Sequence, residues 1–194
     1  MMNCDLIPLD VVKSITGATS DDVAATQGRA IVGMVQAYLG LVLVKQVFLD
    51  EKVTVPYEFS RVILPKHAPI NDVCNMSVVT HDGTYKADTK AISIGEYTIE
   101  LLPRFWSFFP RSVIPAAVGA IQLSYNAGLY NDWSEVPAVL QEAMQELLKY
   151  KYNDEYIAGF HSEHFGDYSY TKGALAANSG IPAEIAGMLD GLNL

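Results

Sequence analysis

The fold is decided by the stretch IQLSYNAGLYNDWSEVPAVLQEAMQELLKYKYNDEY (Ile121–Tyr156), which changes from a strand pattern to a helix pattern across a short polar joint. Apolar and polar residues alternate over Ile121–Tyr125, which is typical of a half-buried strand. The joint Asn126-Ala127-Gly128 contains residues that tolerate a positive φ. A long amphipathic helix is predicted to follow from about 135 to 156, with its start near Ser134. The unit has no catalytic pattern and is interpreted as a structural joint.

The remaining segments extend this pattern of helices and strands. Helix-capping residues and glycine stops predict a short helix from Asp10 and a long one at about 20–39. Alternating runs predict strands through 41–125, with Asp82-Gly83 as a hairpin turn. From Ala158 to Gly180 the sequence predicts a loose connecting segment.

Together these elements predict an α+β protein that is mainly a helical bundle. The long helices at about 20–39 and 135–156 form the bundle, and a small antiparallel β-sheet is inserted between them. The predicted domains are a single domain over 1–158, in which helices 10–39 and 135–156 flank a strand region at 41–125, and a C-terminal arm over 159–194 that ends in a short helix.

The composition limits the class of protein. With 194 residues the chain is long enough for one domain with a substantial core. Half of the residues are hydrophobic and only 18% are charged. This composition is compatible with association, in which contacts between subunits bury apolar surface. The net charge of −9 and the absence of a basic stripe argue against a protein that grips nucleic-acid phosphates, although an acidic conduit for DNA remains compatible.

Cysteine usage and hydropathy argue against a secreted or membrane protein. Cys4 and Cys74 are the only cysteines, and the N-terminus has no signal-peptide pattern. The most apolar run, Ile31–Leu49, is divided by Gly40 and interrupted by Lys45, so it is too broken for a membrane span of about 20 apolar residues.

The best candidate for metal chemistry is the pair His161 and His164 in FHSEHF. Two histidines without further ligands do not complete a tetrahedral zinc site, so no metal and no cofactor is predicted. The chain also lacks the nucleophile-elbow and phosphate-loop patterns. We therefore predict that it is not an enzyme, and a small metal-dependent hydrolase using the two histidines is kept as an alternative.

Four phrases occur in the same order as in a known family. They are LPKHAPINDVCNMSV (Leu64–Val78), Tyr125-Asn126-Ala127-Gly128-Leu129, Val136-Pro137 and GDYSYT (Gly166–Thr171). In this order the chain resembles the head-tail connector (adaptor) proteins of long-tailed bacteriophages, and the resemblance covers nearly its whole length.

The resemblance implies a structural virion protein of the viral neck. Such subunits form a homo-oligomeric ring, expected to be a dodecamer, below the portal protein, and they dock a stopper or tail-side neck protein. Genomic DNA is expected to pass through the lumen without sequence-specific binding, and no membrane is involved. The implied location is the virion neck between capsid and tail, with the host cytoplasm as the place of assembly. Another neck component, a head-completion or tail-terminator protein, is the alternative.

Two segments are candidate interaction sites. An aromatic cluster between Pro103 and Pro115 is interpreted as a subunit interface, with a hydrophobic plug over the sheet as the alternative. Its members are Phe105, Trp106, Phe108 and Phe109. The terminal helix is interpreted as a portal-docking element, with packing on its own domain as the alternative. Its apolar residues are Ile181, Ile185, Met188, Leu189 and Leu192.

Overall fold

The computed structural model describes residues 6–53, 61–80, 83–105, 120–153, 162–165, 168–171 and 180–192, with 162–165 and 168–171 described by their backbone alone. In these residues the α-helices are α1 (Leu9–Thr16), α2 (Asp21–Leu39), α3 (Ala138–Tyr152) and α4 (Ala183–Asp190). The strands are β1 (Gln46–Val53), β2 (Val62–Ile63), β3 (Ile70–Thr80), β4 (Gly83–Lys86), β5 (Ile92–Ile94), β6 (Ile99–Leu101), β7 (Ile121–Ala127), β8 (Ser162–Phe165) and β9 (Tyr168–Thr171).

The chain divides into two compact units. The helical unit comprises residues 1–40 and 130–194, and the β unit comprises Leu41–Leu129. The two ends of the β unit are joined by a backbone hydrogen bond, because the N–H of Leu129 donates to the carbonyl of Val42 at 3.1 Å.

The predicted long helix near the N-terminus is confirmed as α2. The hydroxyl of Ser20 accepts a hydrogen bond from the N–H of Val23 at its start. At its end Gly40 takes the left-handed conformation with φ of 68°, as a helix-terminating glycine commonly does.

The second long helix is confirmed, but it begins later than the predicted position near 135. Val136 precedes a proline and lies in the extended region with ψ of 130°, since the ring of Pro137 disfavours helical geometry at the residue before it. A 3-10 turn at Trp133–Glu135 occupies the predicted start, and α3 begins at Ala138. Within the helical unit α3 packs against α1, α2 and α4.

The β unit contains two antiparallel sheets. One has the order β1-β7-β3-β4 and the other has the order β2-β6-β5. The central strand β7 pairs with β1 on one side and with β3 on the other. Its inward side chains Ile121, Leu123 and Tyr125 are fully buried, as their alternation predicts. The pairing of Thr80 with Gly83 confirms the predicted hairpin between β3 and β4.

The prediction of a mainly helical bundle with a small sheet insertion is wrong. The protein is α+β, and its strand region is a compact unit with its own core. A contiguous cluster of buried residues runs from Val53 to Ala127 and draws side chains from both sheets. Burial of apolar surface stabilises such a unit in its own right, so the sheets are not an appendage of the helices.

A second correction concerns the segment from Ala158 to Gly180, predicted to be a loose connection. Part of it forms an antiparallel hairpin, in which Ser162 of β8 pairs with Thr171 of β9. The predicted boundary between a domain over 1–158 and an arm over 159–194 falls outside the described residues and stays a prediction. Among the described helices, none is long and apolar enough to cross a bilayer.

Candidate functional site: the strand edges of the β unit

A bulge in the edge strand β1 organises one corner of the β unit. The register with β7 shifts between Phe48 and Glu51, which pair with Tyr125 and Leu123. Asp50 in the bulge has a positive φ of 51°, and its N–H donates to the hydroxyl of Ser124 at 3.1 Å. Bulges re-aim the side chains around them. Here the bulge places the side chain of Glu51 on the same face of the sheet as Tyr125.

Glu51 is the centre of a buried polar cluster. Its side chain is 8% exposed, and its two carboxylate oxygens accept hydrogen bonds from the hydroxyl of Tyr125 at 2.8 Å and from the N–H of Lys66 at 2.9 Å. The hydroxyl of Tyr125 accepts a bond from the N–H of His67 at 3.2 Å. The ring of Phe48 stacks on the His67 ring with the centroids 3.9 Å apart. The cluster therefore fastens the segment after β2 to the four-stranded sheet.

The electrostatics of this cluster suit a structural role. Burial, followed by the hydrogen bond to Glu51, raises the pKa of the Tyr125 hydroxyl well above its usual range. At neutral pH the hydroxyl therefore stays protonated and acts as a donor, and it is not a base. The imidazole Nε2 of His67 lies 3.7 Å from Glu51, beyond a good hydrogen bond. The arrangement holds the Tyr125 hydroxyl as a hydrogen-bond donor and offers no activated nucleophile.

The same bulge leaves apolar side chains on the surface. Leu49 is 74% exposed, the highest value among the exposed large hydrophobic residues, and Val47 is also exposed. Three consecutive apolar residues from Val47 to Leu49 cannot all face the core of an alternating strand. This break in alternation is the signal in the sequence that could have identified the exposed surface.

Exposed apolar residues collect on the edges of both sheets. Of nine exposed large hydrophobic residues in the described part of the chain, seven belong to the β unit. Five of these lie on the edge strands β1, β2, β4 and β5: Val47, Leu49, Val62, Tyr85 and Ile94. Leu64 and Tyr97 lie close to the edge strands in sequence. Sheet edges are templates for pairing with another chain, and natural edges usually carry polar or charged residues instead. We therefore take these edges as the candidate interaction site.

The aromatic cluster predicted as a subunit interface is described at one position only. Phe105 is 1% exposed and belongs to the core of the β unit. Trp106, Phe108 and Phe109 lie outside the described residues. An interface through those three residues stays a prediction, while the side chain of Phe105 is not on the surface of this subunit.

The terminal helix carries the residues predicted to dock on the portal. Ile181, Ile185 and Leu189 are buried, while Met188 and Leu192 are half-buried. The helix α4 packs against α3 within the helical unit. In addition, the hydroxyl of Tyr38 donates to the carboxylate of Asp190 at 2.7 Å. Portal docking through the buried residues stays a prediction, and it requires this helix to leave its place.

The candidate metal residues are only partly described. His161 lies outside the described residues, and the backbone of His164 in β8 pairs with Ser169 of β9. Within the described part of the chain, no group of three or more histidine, cysteine, aspartate or glutamate residues is arranged to hold a metal ion.

The fold is similar to that of chains in solved structures of gene transfer agent particles. A chain in "Virion of native gene transfer agent (GTA) particle" matches with a TM-score of 0.61 and 14% identity, covering 95% of this chain and 88% of that chain. One in "Neck of empty GTA particle computed with C6 symmetry" matches with a TM-score of 0.55 and 16% identity, covering 82% of each chain. One in "Neck of native GTA particle computed with C12 symmetry" matches with a TM-score of 0.54 and 17% identity, covering 84% of this chain and 82% of that chain.

At these identities the likeness establishes the fold. Neither a protein-family model nor a curated protein matches the sequence. The matched chains come from two necks and a virion of gene transfer agent particles.

Proposed function

We propose that this protein is a structural subunit of the neck of a phage-like particle, and more narrowly a head-tail connector (adaptor) that assembles into a ring. The observation that carries the proposal is the fold shared with chains in gene transfer agent necks, over 82–84% of this chain. Solved necks of that kind were computed with C6 and C12 symmetry, which is the arrangement of a ring.

The surface of the β unit supports self-association. Apolar side chains on sheet edges are costly to leave in water and unusual in a monomer. The acidic balance, with a net charge of −9, suits a ring whose wall does not adhere to DNA, because like charges repel. In this role genomic DNA passes through the lumen without sequence-specific binding.

The proposed ring binds a different protein on each of its two sides. On the upper side the ring binds the portal protein, and on the lower side a stopper or tail-side neck protein. The C-terminal arm over 159–194 is proposed to reach the portal. Because Ile181, Ile185 and Leu189 are buried in the subunit, docking through them exposes their apolar surface first, and that surface must then be covered by the portal.

Electron microscopy of the purified protein, alone and mixed with portal protein, tests the proposal. Rings in either sample, together with co-purification of subunit and portal, support the connector role. Absence of rings in both samples and of portal binding would refute it. Binding to a tail-side protein without any binding to portal would favour the tail-terminator alternative instead.

A further inference from the structure

We propose that neighbouring subunits join through the two edges of the four-stranded sheet, with the β1 edge of one copy against the β4 edge of the next. The sheets of successive copies then form one continuous antiparallel sheet. This inference rests on the proposed ring and adds which surfaces form it.

Strand direction in the sheet is the first argument. The order β1-β7-β3-β4 is antiparallel at every step, so the four strands alternate in direction and the two edge strands run opposite to each other. When a second copy is placed head to tail, its β1 lies antiparallel to the β4 of the first copy. The alternation continues without a break, and antiparallel pairs are slightly more stable per residue than parallel ones.

The three-stranded sheet does not have this property. In the order β2-β6-β5 both edge strands are antiparallel to β6, so β2 and β5 run in the same direction. Head-to-tail addition there would create a parallel pair between neighbours. The four-stranded sheet is therefore the better junction.

Side chains on the two edges complement each other. The β1 edge presents Leu49, 74% exposed, together with Val47 and the carboxylate of Asp50. The β4 edge presents Tyr85, 47% exposed, and the ammonium group of Lys86. In the described part of the subunit neither Asp50 nor Lys86 makes an ion pair. One opposite-charge pair between Asp50 and Lys86 is a favourable cross-strand contact. Tyr85 is in register with Val78 and Ile121 on the core face, whereas Val47 pairs with Asn126 on the other face, so these two side chains do not meet across the junction.

The outer edge of β4 also offers backbone groups. The N–H of Ala87 donates to the carbonyl of Met76 at 2.8 Å, and the direction of N–H groups alternates along an antiparallel strand. Thr84 and Lys86 consequently direct their N–H and C=O groups away from β3. Within the described residues these groups have no hydrogen-bond partner, so they can pair with a strand of a neighbouring copy, as in β-strand addition.

Contact between unlike edges can build the proposed ring, and contact between like edges cannot. A contact between like edges stops at two copies, whereas head-to-tail contact between unlike edges continues from copy to copy and closes into a ring when the rotation between neighbours permits it.

Disulfide cross-linking of full-length protein tests the junction. In a background with Cys4→Ser and Cys74→Ser, one protein carries Leu49→Cys and a second carries Thr84→Cys, since Thr84 lies on the face of β4 that also carries Lys86. Mixed at high concentration under mild oxidation, the two should give a cross-linked dimer, while each alone should give at least tenfold less. The protein carrying both changes should give a ladder of higher species.

Each outcome has a distinct meaning. Equal self-cross-linking of either single variant shows contact between like edges and overturns the proposal, and so does absence of a cross-link in a sample that forms rings. A cross-link between the two variants without rings or portal binding would uphold the junction and refute the connector role. Absence of rings, portal binding and cross-linking would refute both.

A backbone variant gives an independent readout. Thr84→Pro removes an N–H that points away from β3, so the β3–β4 hairpin keeps its hydrogen bonds while the outer edge loses a donor. Association measured by sedimentation should weaken by about tenfold, since losing one hydrogen bond and adding a bulky ring cost about 1.4 kcal/mol. Thr84→Ser is the matched control. Unchanged association in Thr84→Pro with normal circular dichroism would contradict the proposed pairing.

Discussion

Changing Tyr125 to phenylalanine tests the buried cluster that fastens the segment after β2 to the sheet. The substitution removes the 2.8 Å hydrogen bond to Glu51, whose carboxylate is 8% exposed, and keeps the ring and its packing. A hydrogen bond to a charged group contributes about 1.5–3 kcal/mol. The N–H of His67 also loses its acceptor. We therefore expect the free energy of unfolding to fall by about 2–4 kcal/mol.

Thermal and urea unfolding, followed by circular dichroism, measure this loss. For a chain of this size 1 kcal/mol corresponds to about 2–4 °C in Tm, so Tm should fall by about 4–16 °C. Tyr130→Phe is the matched control, since Tyr130 is also buried and its hydroxyl has no hydrogen-bond partner among the described residues. It should cost less than about 1 kcal/mol. Equal effects of the two substitutions would refute the assigned role of the Glu51 cluster.

Three further predictions concern pH, backbone conformation and the terminal helix. The raised pKa of Tyr125 means that its contribution is complete below about pH 10 and is lost as pH rises further, so alkaline unfolding should be steeper in the wild type than in Tyr125→Phe, by up to about 1.4 kcal/mol per pH unit. Gly128→Ala should cost at least about 3 kcal/mol in urea unfolding, because φ is 125° and a Cβ would overlap the carbonyl of Val44, whereas Gly17→Ala, with φ of 70° and open space, should cost about 1–2 kcal/mol. Deleting residues 181–194 should lower Tm by several degrees, because four apolar side chains of the segment are buried, and it should abolish co-purification with portal; an unchanged Tm would contradict the packing of α4 on the subunit, and retained portal binding would contradict the proposed arm.

Hydrophobic periodicity and capping residues made the individual helices and strands predictable. They did not predict how large a share of the fold the strands form. Ser20 and Gly40 carry local signals that fix the ends of α2, and the alternation over Ile121–Tyr125 identifies a strand. The size of the β unit depends on which strands pair, and pairs such as Phe48 with Tyr125 connect residues far apart in sequence. Single-sequence patterns do not contain that information.

The candidate site was predictable only in part. The apolar run from Val47 to Leu49 was visible, but the bulge that turns Leu49 outward is a property of the pairing between β1 and β7. Phe105 was interpreted as part of a subunit interface, with a hydrophobic plug over the sheet as the alternative, and it is buried in the core. Aromatic residues serve both roles, and burial is decided by tertiary structure. The structure explains two residues of the phrase at Tyr125–Leu129. The hydroxyl of Tyr125 donates a hydrogen bond to Glu51, and Gly128 packs so closely against the backbone of Val44 that a side chain would not fit.

The backbone hydrogen bond between Leu129 and Val42 places the two ends of the β unit side by side. This adjacency matters for protein engineering and for evolution. A segment whose entry and exit are adjacent can be excised and its former neighbours rejoined by a short linker, because loop closure over a small distance costs little. Residues 41–129 are therefore suited to production as an autonomous domain, and residues 1–40 and 130–194 to reconnection without it. The same adjacency permits exchange of the β unit by recombination of one contiguous piece of gene, with new strand edges introduced while the host helices keep their sequence.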